Sequence, residues 1–208
     1  MRMYLLCVSL VALNVLFSQS FLGAEDRSLD WNQWRGPHRD GVVGGLPWPN
    51  SLGEGVLKRI WRVELPPSYS GPVVSDSTVF VTGTENKTSE VVCALDRKSG
   101  EELWRASWPG AMTVPFFAAS NGSWIRATPA FDGQSLFVAG MCDVLVSLNA
   151  QTGEEQWRVD FVNQLHAPLP DFGCASSPLL DGDWLYVQAG ASFLKLDKNT
   201  GRIVWRVL

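Results

Sequence analysis

Two histidines, His38 and His166, and four cysteines are the side chains of this 208-residue sequence best suited to act as bases, nucleophiles or soft metal ligands. Their spacing gives them little to do. Cys93, Cys142 and Cys174 are scattered, with no Cys-x-x-Cys step, and no cluster of histidine, cysteine and carboxylate has metal-ligand spacing. One Cys142–Cys174 bridge is open to the chain in an oxidising compartment, but an odd number of thiols outside the leader cannot form a full disulfide framework. His166 stands alone between proline-rich segments and reads as a surface residue rather than a base. Arg35, His38, Arg39 and Asp40 form a polar cluster in a Gly/Pro-rich lead-in, expected to fold over the body of the protein and pair internally.

With 46% hydrophobic and only 18% charged residues, the chain is globular rather than disordered. Its first residues read as an export signal. Arg2 supplies a positive start, Tyr4 to Phe17 runs apolar, and small residues at Gly23-Ala24 precede the charged Glu25-Asp26. We expect a signal peptide over residues 1–24 and a periplasmic or extracellular protein. The competing reading is an uncleaved anchor, for which the apolar run is short; only then would the membrane be a partner. Cys7 lies too early in that run for a lipoprotein cysteine. Removing the leader takes away one arginine and no acid, so a net charge of −4 becomes slightly more negative. An acidic chain without a basic block excludes nucleic acid as a natural partner.

The elements that must position any site come from a repeat. ALDRKSGEELW (94–104) returns as SLNAQTGEEQW (147–157) and KLDKNTGRIVW (195–205). In each, an apolar strand ends in Leu, followed by an acid or amide and then glycine, and a returning strand carries tryptophan. Asp96, Asn149 and Asp197 are placed to accept from turn amides, and Gly100, Gly153 and Gly201 to take positive φ. Trp104, Trp157 and Trp205 then stand at one equivalent position, suited to packing between neighbouring sheets. Upstream, PVVSDSTVFVTG (72–83), PAFDGQSLFVAG (129–140) and PLLDGDWLYVQAG (178–190) are three versions of a second hairpin. Each unit therefore has four short strands, and four-stranded units at this period are the mark of propeller blades. A meander sandwich would need three coincidences in two separate hairpins. Cys93 aligns with Val146 and Leu194, so it is expected to act as a small buried hydrophobe.

The pattern of residues 94–104 resembles the tryptophan-docking motif of the PQQ-like, quinoprotein alcohol dehydrogenase-like, propeller repeat. The first copy fits at every fixed position; the second departs at Ser147 and Asn149 and the third at Lys195. WNQWRGPHRDGV (31–42) is similar to the opening of secreted bacterial proteins of that type. The expected fold is all-β: a partial propeller of three four-stranded antiparallel blades, at about 71–107, 127–160 and 176–208, plus one orphan ring-closing strand at 57–65, after an extended lead-in over 25–56. The orphan strand is read from LKRIWRVEL, whose Trp61-Arg62 matches the last strand RIVWRVL. Three blades cannot close a ring, so the chain reads as an N-terminal half, with the missing blades supplied by a further chain or a second copy.

In such a unit both tight turns lie at one end of the sheet, which leaves the long inter-blade connections at the other end as the place for recognition. Ser107–Arg126 carries Trp108, Phe116, Phe117 and Trp124, and Phe161–Ala175 carries His166, Asp171 and Phe172. The resemblance implies two functions. One is a non-enzymatic scaffold or interaction module of the bacterial cell envelope, like the outer-membrane protein assembly lipoproteins, with a protein partner and no cofactor. The other is the N-terminal fragment of a quinoprotein dehydrogenase, with PQQ and calcium in the central channel. That enzyme type implies an adjacent cysteine pair, which this sequence lacks, so the scaffold is preferred and no catalytic, cofactor or metal residues are assigned.

Overall fold

Alternation along Ser89–Asp96 sets the architecture. Val91, Cys93 and Leu95 point to one side and Val92 and Ala94 to the other, and all five are buried. A strand apolar on both faces must be covered on both. In a computed structural model of the chain, which describes residues 31–43 and 49–208, this strand is the third of a four-stranded antiparallel sheet, and the same sheet is built three times. The expected signal peptide lies outside the described residues.

The first sheet comprises β1 (Val73–Val74), β2 (Thr78–Glu85), β3 (Ser89–Asp96) and β4 (Glu102–Pro109). The second comprises β5 (Ala130–Phe131), β6 (Ser135–Gly140), β7 (Val144–Asn149) and β8 (Glu155–Asp160), and the third β9 (Leu179–Asp181), β10 (Trp184–Ala189), β11 (Ser192–Asp197) and β12 (Ile203–Val207). Strands pair in chain order in all three. A bulge falls at the same place each time, after Ala94, Ser147 and Lys195. It is set by the turn that follows. Asp96 Oδ1 accepts from the amides of Lys98 and Ser99 at 2.9 and 2.7 Å, and Asn149 and Asp197 do the same for their own turns. Gly100, Gly153 and Gly201 all have positive φ.

The sheets stack face to face, as propeller blades do. Phe80, Val92 and Ala94 of the first sheet meet Leu136, Val146 and Leu148 of the second. Phe137 and Leu145, on the second sheet's other face, meet Leu185, Leu194 and Leu196 of the third. Cys93 is buried with Val91 and Leu95 against Trp61, Val79 and Val81, the small hydrophobe the alignment anticipates.

Three sets of hydrogen bonds repeat from one sheet to the next. At the tight-turn end, the Trp104 indole donates to Ala150 O and Trp157 to Lys198 O, both at 3.0 Å. Each ring lies flat over the next turn's glycine, where a Cβ on Gly153 or Gly201 would come within 2.5–2.7 Å of it. Glycine is thus required there twice, for its φ and for the indole. Along the inner strands, the Gly71 amide donates to Thr128 Oγ1 at 3.1 Å and the Thr128 amide to Ser177 Oγ at 3.0 Å. At the opposite end, Glu90 and Asp143 reach across to the next sheet, as described below.

Residues 57–65, expected as a strand, pair with no strand among the described residues. A ladder needs a neighbour's edge, and the first sheet offers this segment its turn instead. Trp61 nevertheless does what Trp104 and Trp157 do: its indole donates to Arg97 O at 2.9 Å and covers Gly100.

The lead-in folds over the body as expected. Trp31 exchanges backbone hydrogen bonds with Val74, the Phe131 amide donates to Asn32 O at 2.8 Å, and Arg39 donates to Pro178 O at 3.1 Å. The unpaired edges of all three inner strands are thereby tied to one strip of chain. Within the strip, the Arg35 guanidinium donates to Asp40 O at 3.0 Å.

Candidate interaction surface

The connections between sheets leave from the end opposite the Asp-to-Gly turns. The first runs on from Pro109 and contains a short 3-10 helix, Phe116–Asn121. The second opens with α1 (Phe161–Leu165), whose first turn is held by Asp160 Oδ1 accepting from the Asn163 amide at 2.9 Å. Burial of Phe161 anchors α1 to the core, so the chain beyond it is held out at the rim.

Of the seven loop residues expected to face a partner, the structure brings three together. Phe116 and Phe117 meet edge to face at 5.7 Å between centroids, and Phe117 meets Phe172 of the other loop at 6.0 Å. These rings are 90%, 67% and 45% exposed respectively. Phe172 is fixed by its carbonyl, which accepts from Arg126 Nε at 3.1 Å. His166 and Asp171 are exposed nearby in sequence, His166 as the left-handed residue that ends α1. Trp124 is half-buried, packed against Tyr69 at 5.2 Å.

Trp108 corrects the expectation. It is 6% exposed and belongs to β4, where it pairs with Glu90. The strand runs two residues further than the sequence suggests because β3 begins as early as Ser89 and supplies a ladder partner for it. The Trp108 indole donates to Glu90 Oε2 at 2.9 Å, and Glu90 Oε1 accepts from the Met141 amide of the second sheet at 2.6 Å. The Arg158 guanidinium lies 5.4 Å from the Trp108 ring centre. Burial pushes the Glu90 carboxyl up to about 7, against those two hydrogen bonds and Arg158, which favour its charged form.

Asp143 is the same position one sheet on. Its Oδ2 accepts from the Gly190 amide of the third sheet at 2.6 Å, and burial raises its pKa from the ordinary value. The two carboxylates are inter-sheet latches that the sequence reading missed. A signal was there: Glu90 and Asp143 each stand three residues before the aligned positions Cys93 and Val146.

Cys93, Cys142 and Cys174 are free thiols. Cys142 Sγ donates to Gly110 O at 2.9 Å and Cys174 lies towards Gln188 O at 3.9 Å, so the two cysteines that a bridge would join are bonded to different strands' ends. Burial raises the Cys174 thiol to about 12, which keeps it protonated and unreactive. Among the described residues, no three histidine, cysteine or carboxylate groups are placed to hold a metal ion. The lead-in runs along the inner strand edges. Among the described residues, no helix is long and apolar enough to cross a membrane.

A family model described as outer membrane protein assembly factor BamB matches residues 58–119 and 88–208. The solved structure of BamB from Moraxella catarrhalis superposes with a TM-score of 0.52 at 22% identity, over 71% of this chain and 39% of that one. A europium-containing methanol dehydrogenase gives a TM-score of 0.49 at 22% identity over 69% of this chain and 25% of that chain. The quinohemoprotein alcohol dehydrogenase from Comamonas testosteroni gives 0.49 at 18% over 68% and 21%. This chain therefore spans well under half the length of each of these structures. No curated protein sequence matches it. Three stacked four-stranded sheets, the docked tryptophans and a family match running from residue 58 to residue 208 lead to one assignment: the chain belongs to the PQQ-like propeller-repeat family of the outer membrane protein assembly factor BamB.

Proposed function

We propose that this chain is a non-enzymatic propeller scaffold of the bacterial cell envelope, exported to the periplasm or beyond, and that it holds a protein partner on its long-loop face. The observation that carries this reading is the meeting of Phe116, Phe117 and Phe172, from two separate loops, as an exposed aromatic cluster. Exposed aromatic rings fixed on a rigid base lose little side-chain entropy on binding, which makes them effective anchors. At the tight-turn end the Asp-to-Gly turns are short, and Trp104 and Trp157 are spent on the neighbouring sheets.

A photo-crosslinking residue at position 117, introduced into the chain in its own host, tests the reading. The expected result is one discrete adduct with an envelope protein, lost when Phe116 and Phe172 are both changed to serine. The absence of an adduct, or the same adduct from a crosslinker at Lys98 on the tight-turn end, would sink it. Alcohol-dependent dye reduction on adding PQQ and calcium would instead favour the dehydrogenase reading.

A further inference from the structure

Where the lead-in crosses the inner strands, a cavity of about 390 Å³ opens between it and the loops that enter the second and third sheets. Its charged lining is entirely cationic. Arg39 reaches it from the lead-in and Arg126 from the connection before β5, and no carboxylate lines it. Neither guanidinium has an acidic partner among the described residues.

Each arginine is held in place by an aromatic ring and a carbonyl. The Arg39 guanidinium carbon lies 5.2 Å from the Trp34 ring centre, and one nitrogen donates to Pro178 O. Arg126 lies 5.0 Å from the Tyr69 ring centre, with Nε on Phe172 O. Each fork is thus fixed at one side and keeps donors to spare, because a guanidinium carries five N–H groups. Partial burial lowers the Arg39 pKa, a desolvation that an anion would relieve.

The neutral lining points the same way. Thr128 Oγ1, Ser177 Oγ and Ser176 Oγ each accept a backbone amide, from Gly71, Thr128 and Gln188 respectively. With one lone pair engaged, each hydroxyl still has its proton to offer. The cavity therefore presents two guanidinium forks and three hydroxyl donors, and no acidic side chain. Its size falls within the range of small-molecule sites, at roughly 300–1,000 Å³.

We infer that this cavity is a carboxylate-binding site, in which a carboxylate group sits between Arg39 and Arg126 and accepts from the hydroxyls of the inner-strand entries. Paired guanidinium forks match the planar geometry of a carboxylate, and flanking rings cover the rest of a small organic acid. The carboxylate belongs either to a free small acid or to an acidic side chain of a peptide. The inference does not depend on the phenyl cluster docking a partner.

Titration calorimetry on the full chain tests it, with succinate, benzoate, acetyl-Glu-Glu-amide and sodium chloride as injected probes. Saturable heat with succinate or benzoate identifies a free acid as the ligand, and tighter binding of the dipeptide identifies an acidic segment. In either case Arg126→Gln should weaken binding by about tenfold or more, the loss expected for a charged hydrogen bond. Arg126→Lys, which keeps the charge and loses the fork, should recover only part of the affinity, with near-ultraviolet circular dichroism confirming an intact fold. Lys87→Gln, which removes an exposed cation outside the cavity, should leave binding unchanged. No saturable heat from any carboxylate would overturn the assignment, as would equal binding by Arg126→Gln and the parent chain.

Discussion

Trp104 and Trp205 hold the same place in the first and third sheets and have different surroundings. Trp104 pairs with Ala94, packs on Phe80 at 5.9 Å, covers Gly153 and donates to Ala150 O. Trp205 pairs with Lys195 and packs on Tyr186 and Phe193 at 6.1 and 5.7 Å. It is 38% exposed, and its indole N–H meets no acceptor among the described residues. The positions around it have changed too. Where the first two sheets have Phe80 and Phe137, the third has Tyr186, and where they have Ala94 and Ser147, it has Lys195. The Trp104 indole is engaged by the next sheet's turn and the Trp205 indole is not, so the two rings should contribute differently, as in repeat proteins whose energy is divided between units and interfaces.

The contrast can be broken by substitution, with urea unfolding as the measurement. The largest effect is expected from Trp104→Ala or Trp157→Ala, which empties an inter-sheet contact and should cost about 2–3 kcal/mol, below the range for a fully buried aromatic because each indole is partly exposed. Trp205→Ala should cost about 1 kcal/mol or less, since the ring is not enclosed. Equal losses at positions 157 and 205 would mean that the uncovered face is as tightly packed as the covered one.

Glu90→Gln comes next. An amide can accept from only one of the two donors, the Trp108 indole and the Met141 amide, so one buried donor is left facing an NH₂ group, at about 1–3 kcal/mol. The same substitution has a pH signature. With its carboxyl raised from 4.5 to about 7, folded Glu90 keeps a proton that the unfolded chain has released. Stability should therefore fall as pH rises from 4.5 to 7, and the Gln variant should lack that part of the slope. A slope that survives in Glu90→Gln would assign it to Asp143 or another group. The smallest effect is expected for Phe117→Ser, within about 0.5 kcal/mol, because that ring is largely in water.

Much of this architecture could be read from the sequence, because its determinants are local. The period-two alternation of Val91 to Leu95 needs no knowledge of the third dimension, and neither does the Asp-to-Gly turn with its obligatory positive φ. The meeting of Phe117 with Phe172 was out of reach, since it depends on how far one sheet is displaced from the next. The carboxylate latches were hidden by two differences. One is a Glu and the other an Asp, and the strands of the β2–β3 hairpin are longer than those of β6–β7, which puts Glu90 within β3 but Asp143 in the turn before β7 and obscures their equivalence. Trp108 misled for a similar reason. An aromatic next to Pro109 looks like loop, and only the early start of β3 shows it to be strand.

The strip at residues 31–39 has a consequence for the order in which the chain can be assembled. Arg39 finds Pro178 across 139 residues of sequence, and Gln33 is paired with Leu180 across 147. By contrast, every strand within a sheet pairs with a neighbour joined to it by a short turn. Closing such long loops is slow and gains nothing until both ends are in place. The strip is therefore expected to dock in steps, Trp31 on Val74 first and Arg39 on Pro178 last. Protection of the Trp31 amide from hydrogen exchange would follow the first sheet, and protection of the Leu180 amide, which Gln33 accepts, would report completed folding.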